Sequence, residues 1–138
     1  MKKSLGKPGA TALVIDDTEV IRSLLSDALA DKGYRVHTAA NARTGIELAL
    51  QLQPDIIFCD TYMPDLDGIT AVRQIRKSLP ETIVVLTNSL PTEEASDQSS
   101  NSDINYVLNK PFGLDELWDI LEKVELRHVQ RESKNRPT

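Results

Sequence analysis

The sequence predicts a doubly wound α/β fold, in which a five-stranded parallel sheet carries helices on both faces. Two observations lead to this prediction. Short apolar runs alternate along the chain with segments whose apolar residues recur at steps of three and four, the spacing of a helix face. The runs are also nearly continuous, which is typical of parallel strands that are buried on both sides and joined by right-handed crossovers.

Five apolar runs predict the strands. Most of them are rich in Val, Ile, Leu or Phe, and they stop at or near polar residues. In chain order, the predicted strands cover residues 12–15, 34–38, 55–59, 82–86 and 105–108.

Apolar residues at helical spacing predict the helices. Asn41 is a favoured N-cap residue before the second helix, while Gly33, Pro54 and Pro80 lie where helices end. In chain order, the helical patterns cover residues 20–29, 42–52, 69–75 and 114–124.

A further helix between strands four and five is the weakest of these predictions. The alternation of elements requires one over residues 91–103, but Ala95 is the only apolar side chain in that segment. A short helix without an apolar stripe is marginal in water. We therefore expect residues 92–103 to be the least stable part of the fold.

The length and composition fit one domain. At 138 residues and 40% hydrophobic content, the chain can bury a single core. We expect an N-terminal extension over residues 1–9, a folded domain over 10–127 and a basic tail or linker over 128–138. The net charge is −5, but each end carries +3, which leaves −11 for residues 11–125. Such an acidic body argues against nucleic-acid binding by this domain.

The remaining composition narrows the class of protein further. We expect a cytoplasmic protein without membrane contact, because there is no leader pattern and no apolar run near 18 residues. Cys59 is the only cysteine, so we interpret it as a small buried hydrophobe. His37 and His128 are far apart in sequence, which gives no support to a zinc site.

Polar side chains follow four of the predicted strands at their carboxyl ends, the edge where doubly wound sheets bind ligands. Asp16 and Asp17 follow the first strand, Asp60 the third and Thr87 the fourth, and Lys110 lies just beyond the fifth. Three converging carboxylates repel one another, and Mg²⁺ together with Lys110 can balance their charge. Asp60, central among them, is then the natural nucleophile toward an electrophilic phosphorus.

The order and spacing of these residues resemble those of the receiver domain of response regulators in two-component signalling. The resemblance covers about residues 10–127, and it implies a flavodoxin-like sheet with strand order 2-1-3-4-5. It is carried by four motifs: Asp16-Asp17, Asp60-x-x-Met63-Pro64-x-x-Asp67-Gly68, Thr87 and Lys110-Pro111-Phe112.

The resemblance implies roles for each motif. Asp60 would accept a phosphoryl group from a sensor histidine kinase or a phosphotransfer protein. Asp17, Asp60 and the carbonyl of Tyr62 would bind Mg²⁺, and Asp16 would help through water. Such a domain catalyses only its own phosphorylation and dephosphorylation, and it acts on an output protein or an attached output domain.

Thr87 and Lys110 would bind phosphoryl oxygens, and two departures from the family pattern lie beside them. Asn88 follows Thr87 where the family usually has Ala or Gly, and the larger side chain is expected to narrow access for the phosphate donor. The family's switch aromatic lies three residues before the lysine, which places Val107 at that position and Tyr106 on the opposite face of the strand. We therefore predict that Tyr106 is not the rotameric switch.

Three other interpretations compete with this one. A degenerate receiver would serve only as a protein-interaction module, although nothing essential to phosphorylation is missing. A haloacid-dehalogenase-like phosphohydrolase also uses an aspartyl phosphate, but its nucleophile lies on the first strand in an Asp-x-Asp pattern, where this chain has adjacent Asp16 and Asp17. A flavodoxin-like cofactor binder shares the fold but needs a phosphate loop after strand one, which is absent.

Overall fold

A computed structural model describes residues 9–88 and 102–135, with side chains as far as residue 127. Within this part of the chain, five strands alternate with helices. The strands are β1 (Thr11–Ile15), β2 (Arg35–Ala39), β3 (Ile56–Asp60), β4 (Ile83–Asn88) and β5 (Tyr106–Asn109). The helices are α1 (Glu19–Asp31), α2 (Ala42–Leu52), α3 (Gly68–Ser78) and α4 (Leu114–Asn135).

The five strands form one sheet in the order β2-β1-β3-β4-β5, and every neighbouring pair is parallel. The predicted fold class and strand order are therefore confirmed. In this order the chain moves from β1 outward to β2 and then back past β1 to β3. The direction of winding reverses there, so the carboxyl ends of β1 and β3 flank the crevice where such sheets place their ligands.

Two apolar clusters cover the two faces of the sheet. Leu25 of α1 and Leu117 of α4 pack on one face with Val14 of β1, while Ile75 of α3 packs on the other with Leu13. Neighbouring residues of one strand thus enter opposite clusters, which explains why the strands need nearly continuous apolar runs. Within the described residues, no helix is long and apolar enough to cross a membrane.

Most strands begin and end one residue later than the apolar runs predict. β3 includes Asp60 and β4 includes Thr87 and Asn88, because the ladder of hydrogen bonds continues beyond the last apolar side chain. Thr87 was predicted to follow its strand but lies within it. Polar site residues can be strand residues, since strand pairing depends on the backbone and not on hydrophobicity.

The second helix has the predicted boundaries, whereas the last helix is longer than predicted. Asn41 caps α2 as predicted, accepting a hydrogen bond from the Thr44 N–H at 2.9 Å. α4 continues beyond the predicted residue 124 to Asn135, into the expected basic tail. The extension contains mainly Glu, Lys, Arg and Gln, whose helix propensity is high even without an apolar stripe. Of the weak helix predicted over 91–103, residues 91–101 lie outside the described residues.

Arg76 on α3 forms hydrogen bonds at the amino ends of β4 and β5, on the opposite side of the sheet from the acidic strand ends. Its guanidinium donates to the carbonyl oxygens of several residues and to Asn105 Oδ1 at 3.0 Å. Those carbonyls belong to Leu79, Pro80, Thr82 and Asp103. The planar guanidinium can satisfy many acceptors at once, so one side chain fixes both the start of β4 and the approach to β5.

Candidate functional site

The polar residues predicted to meet at the carboxyl edge of the sheet do meet there. Asp60 is the last residue of β3 and pairs in register with Thr87 of β4. Asp16 and Asp17 follow β1 directly, and Lys110 follows β5. The parallel order of the strands therefore brings residues from four strand ends into one cluster, which we call the acidic site.

Lys110 is the charge partner of two carboxylates in the acidic site. Its Nζ lies 2.9 Å from Asp16 Oδ2 and 3.2 Å from Asp60 Oδ1. Both carboxylates are nearly inaccessible, with relative exposures of 1% for Asp16 and 4% for Asp60. The second oxygen of Asp16, Oδ1, accepts a hydrogen bond from the Thr18 N–H at 2.9 Å. Asp16 is thus engaged through both oxygens, whereas Asp60 keeps an oxygen available for chemistry.

Three carboxylates converge closely enough to share one cation. Asp16, Asp17 and Asp60 each offer an oxygen atom, and these atoms all lie within 4.8 Å of one another. Asp17 is exposed, so the cluster opens to solvent on its side. One lysine cannot balance three carboxylates, and a set of hard oxygen donors open to water suits Mg²⁺.

Burial and neighbouring charge shift the pKa values in this site. Burial first, and then the charge of Asp16, raises the pKa of Asp60 to about 6, against the opposing effect of Lys110. Burial would lower the pKa of Lys110, but its contacts with Asp16 and Asp60 outweigh burial and raise that pKa. Lys110 is therefore charged. The ionised form of Asp60 is less stable here than in water, and a further positive group near it would stabilise that form.

Thr87 presents a hydroxyl group that lacks a hydrogen-bond partner. The residue is 1% exposed, and among the described residues its Oγ1 is the only buried side-chain polar atom without such a partner. A buried hydroxyl without a hydrogen bond is unfavourable, so such groups often mark functional positions. Since Thr87 faces Asp60 across the β3–β4 pair, its hydroxyl is placed to receive or donate a bond when a ligand occupies the site.

Gly68 closes the loop that follows Asp60. Its N–H donates to the Thr61 carbonyl at 2.7 Å, and α3 begins at this glycine. A Cβ at this position would overlap the backbone carbonyl oxygen of Asp60, so only glycine allows the helix to approach β3 so closely. The glycine at the end of this motif is therefore required by the packing of α3 against β3.

Two further acids of the loop cap helices. Asp67 caps α3 by accepting from the Thr70 N–H at 2.9 Å. Asp65 accepts from the N–H groups of Ala42 at 3.0 Å and Arg43 at 2.9 Å, at the start of α2. These bonds from the Arg43 and Ala42 backbone lower the pKa of Asp65. This capping role of Asp65 is not predictable from short sequence patterns, because its partners lie more than 20 residues away.

The strand-face prediction for β5 is confirmed. Tyr106 packs against the cluster that contains Leu117, whereas Val107 packs against the cluster that contains Ile75. β4 and β5 pair residue for residue, so no bulge shifts the register between them. Tyr62, the other aromatic near the site, has a side chain that is 54% exposed.

Thr61, Asn88 and Asn109 form hydrogen bonds beside the acidic site that the sequence did not predict. Asn88 is completely buried, and its Nδ2 donates to Asn109 Oδ1 at 3.1 Å. The Thr61 hydroxyl lies 3.2 Å from Asn88 Oδ1. The sequence shows that position 88 is polar. It does not show that Asn88 contacts Thr61 and Asn109, because those contacts depend on the register of three strands.

Comparisons with known proteins point to one family. The family model described as "Response regulator receiver domain" matches residues 12–122. Among curated proteins, Regulatory protein AtoC of Escherichia coli strain K12 is 34% identical over 128 residues, which cover 86% of this chain and 28% of AtoC. Chemotaxis protein CheY of Thermotoga maritima is 28% identical over 117 residues, which cover 84% of this chain and 98% of CheY.

Solved structures agree with these matches. Chemotaxis protein CheY4 of Vibrio cholerae superposes with a TM-score of 0.76 at 29% identity, covering 84% of this chain and 98% of CheY4. NtrX from Brucella abortus, in complex with ADP, gives a TM-score of 0.81 at 28% identity, covering 94% of this chain but 30% of NtrX. The chain thus spans less than a third of AtoC and NtrX and nearly all of the two chemotaxis proteins.

Proposed function

Because the chain belongs to the family of response regulator receiver domains, we propose that it is a signalling switch that is activated by phosphorylation of Asp60. A sensor histidine kinase or a phosphotransfer protein would supply the phosphoryl group. The observation that carries the proposal is the position of Asp60, which lies beside two other acids and Lys110, opposite the unpartnered hydroxyl of Thr87.

The transfer reaction needs a nucleophile and a leaving group. A carboxylate oxygen of Asp60 would attack the phosphorus of a phosphohistidine, forming an O–P bond while the P–N bond breaks and the electron pair returns to the imidazole. Attack by water on the aspartyl phosphate would later release inorganic phosphate and regenerate the carboxylate. The raised pKa of Asp60, about 6, still leaves the group ionised at neutral pH, as a nucleophile must be.

The residues present fit Mg²⁺. Asp17 and Asp60, with the carbonyl of Tyr62, would hold the ion directly, and Asp16 would act through water because Thr18 and Lys110 already occupy its oxygens. When bound, the ion offsets negative charge on the transferring phosphoryl group.

Lys110 and Thr87 would bind the phosphoryl oxygens. The ammonium group of Lys110 is a compact charge that suits phosphate, and it already lies 3.2 Å from Asp60 Oδ1. Thr87 would donate its hydroxyl, which gains the hydrogen bond it lacks in the unphosphorylated protein. Both groups therefore interact more favourably with the phosphorylated state than with the free one, which is the requirement for a switch.

The output of the switch lies beyond this domain. We propose that it acts in the cytoplasm on a partner protein or an attached output domain, since it spans 28% of AtoC but 98% of a CheY. The domain itself would catalyse no reaction other than its own phosphorylation and dephosphorylation.

Mass spectrometry tests the proposal directly. Intact protein incubated with acetyl phosphate and Mg²⁺ should gain one phosphoryl group, and the Asp60→Asn variant should gain none. EDTA should suppress the gain in the wild type, and the Asp17→Ala variant, which would lack a metal ligand, should gain little even with Mg²⁺. Equal labelling of wild type and Asp60→Asn would refute the assignment of Asp60, and labelling unaffected by EDTA would refute the role of the metal.

A further inference from the structure

A second row of polar residues lies beside the acidic site, on neighbouring strand ends. Each of its members is adjacent in the chain to a residue of the acidic site: Thr61 to Asp60, Asn88 to Thr87 and Asn109 to Lys110. We call Thr61, Asn88 and Asn109 the lateral row. It crosses the ends of β3, β4 and β5, the three strands that carry the phosphoacceptor and the two phosphoryl-binding groups.

Side-chain hydrogen bonds connect the members of this row. Asn88 and Asn109 are direct partners in the β4–β5 register, and the Asn88 amide donates to Asn109 Oδ1 at 3.1 Å. On the other side, Asn88 Oδ1 lies 3.2 Å from the Thr61 hydroxyl. Asn88 is 0% exposed, so its contact with Thr61 is shielded from water, while its bond to the exposed Asn109 is partly shielded.

Backbone bonds reinforce the same connection. The Lys110 N–H donates to the Asn88 carbonyl at 2.7 Å, and the Thr61 N–H donates to the Thr87 carbonyl at 3.1 Å. Each strand end is thus joined to its neighbour by a backbone bond and by a side-chain bond. These links join the strand ends at which Asp60, Thr87 and Lys110 lie.

We infer that Asn88 and Asn109 are positioning residues that hold Thr87 and Lys110 at the separation needed to bind a phosphoryl group on Asp60. This inference rests on the proposed function. Alanine or glycine at position 88 could not reach Asn109, so the side-chain link exists only because position 88 carries an amide. Groups that are held in place before binding lose less entropy when the ligand arrives, which strengthens binding.

Beryllofluoride, a phosphoryl mimic, allows the inference to be tested without turnover. Its affinity in the presence of Mg²⁺ can be measured by ¹⁹F NMR for wild type, Asn88→Ala, Asn109→Ala and the double variant. Asn109→Ala should bind beryllofluoride about five-fold more weakly, the equivalent of one net hydrogen bond, and Asn88→Ala at least as weakly, because it also removes the contact with Thr61. The double variant should lose no more than Asn88→Ala, since that substitution already removes the Asn88–Asn109 bond.

The affinity for Mg²⁺ alone separates positioning from general damage. The metal ligands lie on the side of β1 and β3, away from the Asn88–Asn109 bond, so calorimetric Mg²⁺ affinity should stay at the wild-type value. Asn105→Ala is the matched control, because Asn105 Oδ1 also accepts partly buried hydrogen bonds, from the Val84 N–H and from Arg76, but at the opposite end of β5. It should lower stability without changing beryllofluoride affinity.

The outcomes distinguish this inference from the proposed function. Unchanged or tighter beryllofluoride binding in Asn109→Ala would overturn the inference, and that exposed position keeps the test valid if Asn88→Ala fails to fold. Additive losses, or an equal loss of Mg²⁺ affinity, would show a structural role only and would also overturn it. If the wild-type protein binds no beryllofluoride, the proposed function itself is refuted.

Discussion

Lys110 and Asp16 form an ion pair that joins the end of β5 to the end of β1. Their Nζ and Oδ2 atoms are 2.9 Å apart, although the residues are 94 positions apart in the chain. β3 and β4 lie between β1 and β5 in the sheet, so the pair spans two strands. The same ammonium group lies 3.2 Å from Asp60 Oδ1, so Lys110 pairs with two buried carboxylates of the acidic site at once.

Replacement of Lys110 by methionine should destabilise the protein. The substitution keeps the length of the side chain but leaves two buried carboxylates without their cation, a change that typically costs about 3 kcal/mol. Urea unfolding at pH 8 without Mg²⁺ would measure the loss. Lys123→Met, at an exposed position on α4, should change stability by less than about 0.5 kcal/mol. Similar curves for the two variants would show that the pairs of Lys110 contribute nothing.

Replacement of Asp60 by asparagine should stabilise the protein in the absence of metal. The pKa of Asp60 is raised to about 6 in the folded state from 3.8, so the folded protein loses stability as the pH rises through this interval. The asparagine side chain carries no charge, and the gain at pH 8 should be on the order of 3 kcal/mol. At pH 4 the gain should largely vanish, because Asp60 is then protonated in the folded wild type. A pH-independent difference in urea unfolding would contradict this explanation.

Substitution of Gly68 by alanine should damage both packing and metal binding. The added methyl group meets the backbone carbonyl of Asp60, which cannot move without distorting the strand end, and such overpacking costs about 1–3 kcal/mol. Mg²⁺ affinity should fall with it, since Asp60 is a proposed ligand. Gly113→Ala is the control, because a Cβ there meets nothing within 4 Å. Equal Tm and Mg²⁺ affinity in both variants would show that the contact is relieved at no cost.

Signal transmission should depend on Thr87 rather than on Tyr106. By the count back from Lys110, Val107 would hold the position of the family's switch aromatic, and Tyr106 packs on the opposite face of β5. Beryllofluoride with Mg²⁺ should therefore change the hydrogen exchange of residues 92–103 in Tyr106→Ala much as it does in wild type, and little in Thr87→Ala. If Tyr106→Ala abolishes the response as fully as Thr87→Ala, this prediction is wrong. The ring of Tyr106 would then act as the switch even though it lies on the opposite face of β5 from Val107.

The sequence was sufficient for the features that depend on short patterns. Apolar runs marked the strands, and the acids or lysine at their ends marked the acidic site, because parallel strands necessarily bring these ends to one edge. It was insufficient where a residue's role depends on a distant partner. Asn88 was recognised only as a large neighbour of Thr87, since its bond to Asn109 requires the β4–β5 register. Arg76 and Asp65 were missed for the same reason.

The buried position of Cys59 makes the chain convenient for labelling studies. Cys59 is the only cysteine, it is 0% exposed, and burial, together with the charge of Asp60, raises the pKa of its thiol. Alkylating reagents attack the thiolate, so they should leave the folded protein unmodified. A cysteine introduced at exposed Ser23 or Ser78 would then be the only site for a fluorophore or a spin label, with no need to replace the native one. Conversely, slow alkylation of the unaltered chain would report how often the core around β3 opens.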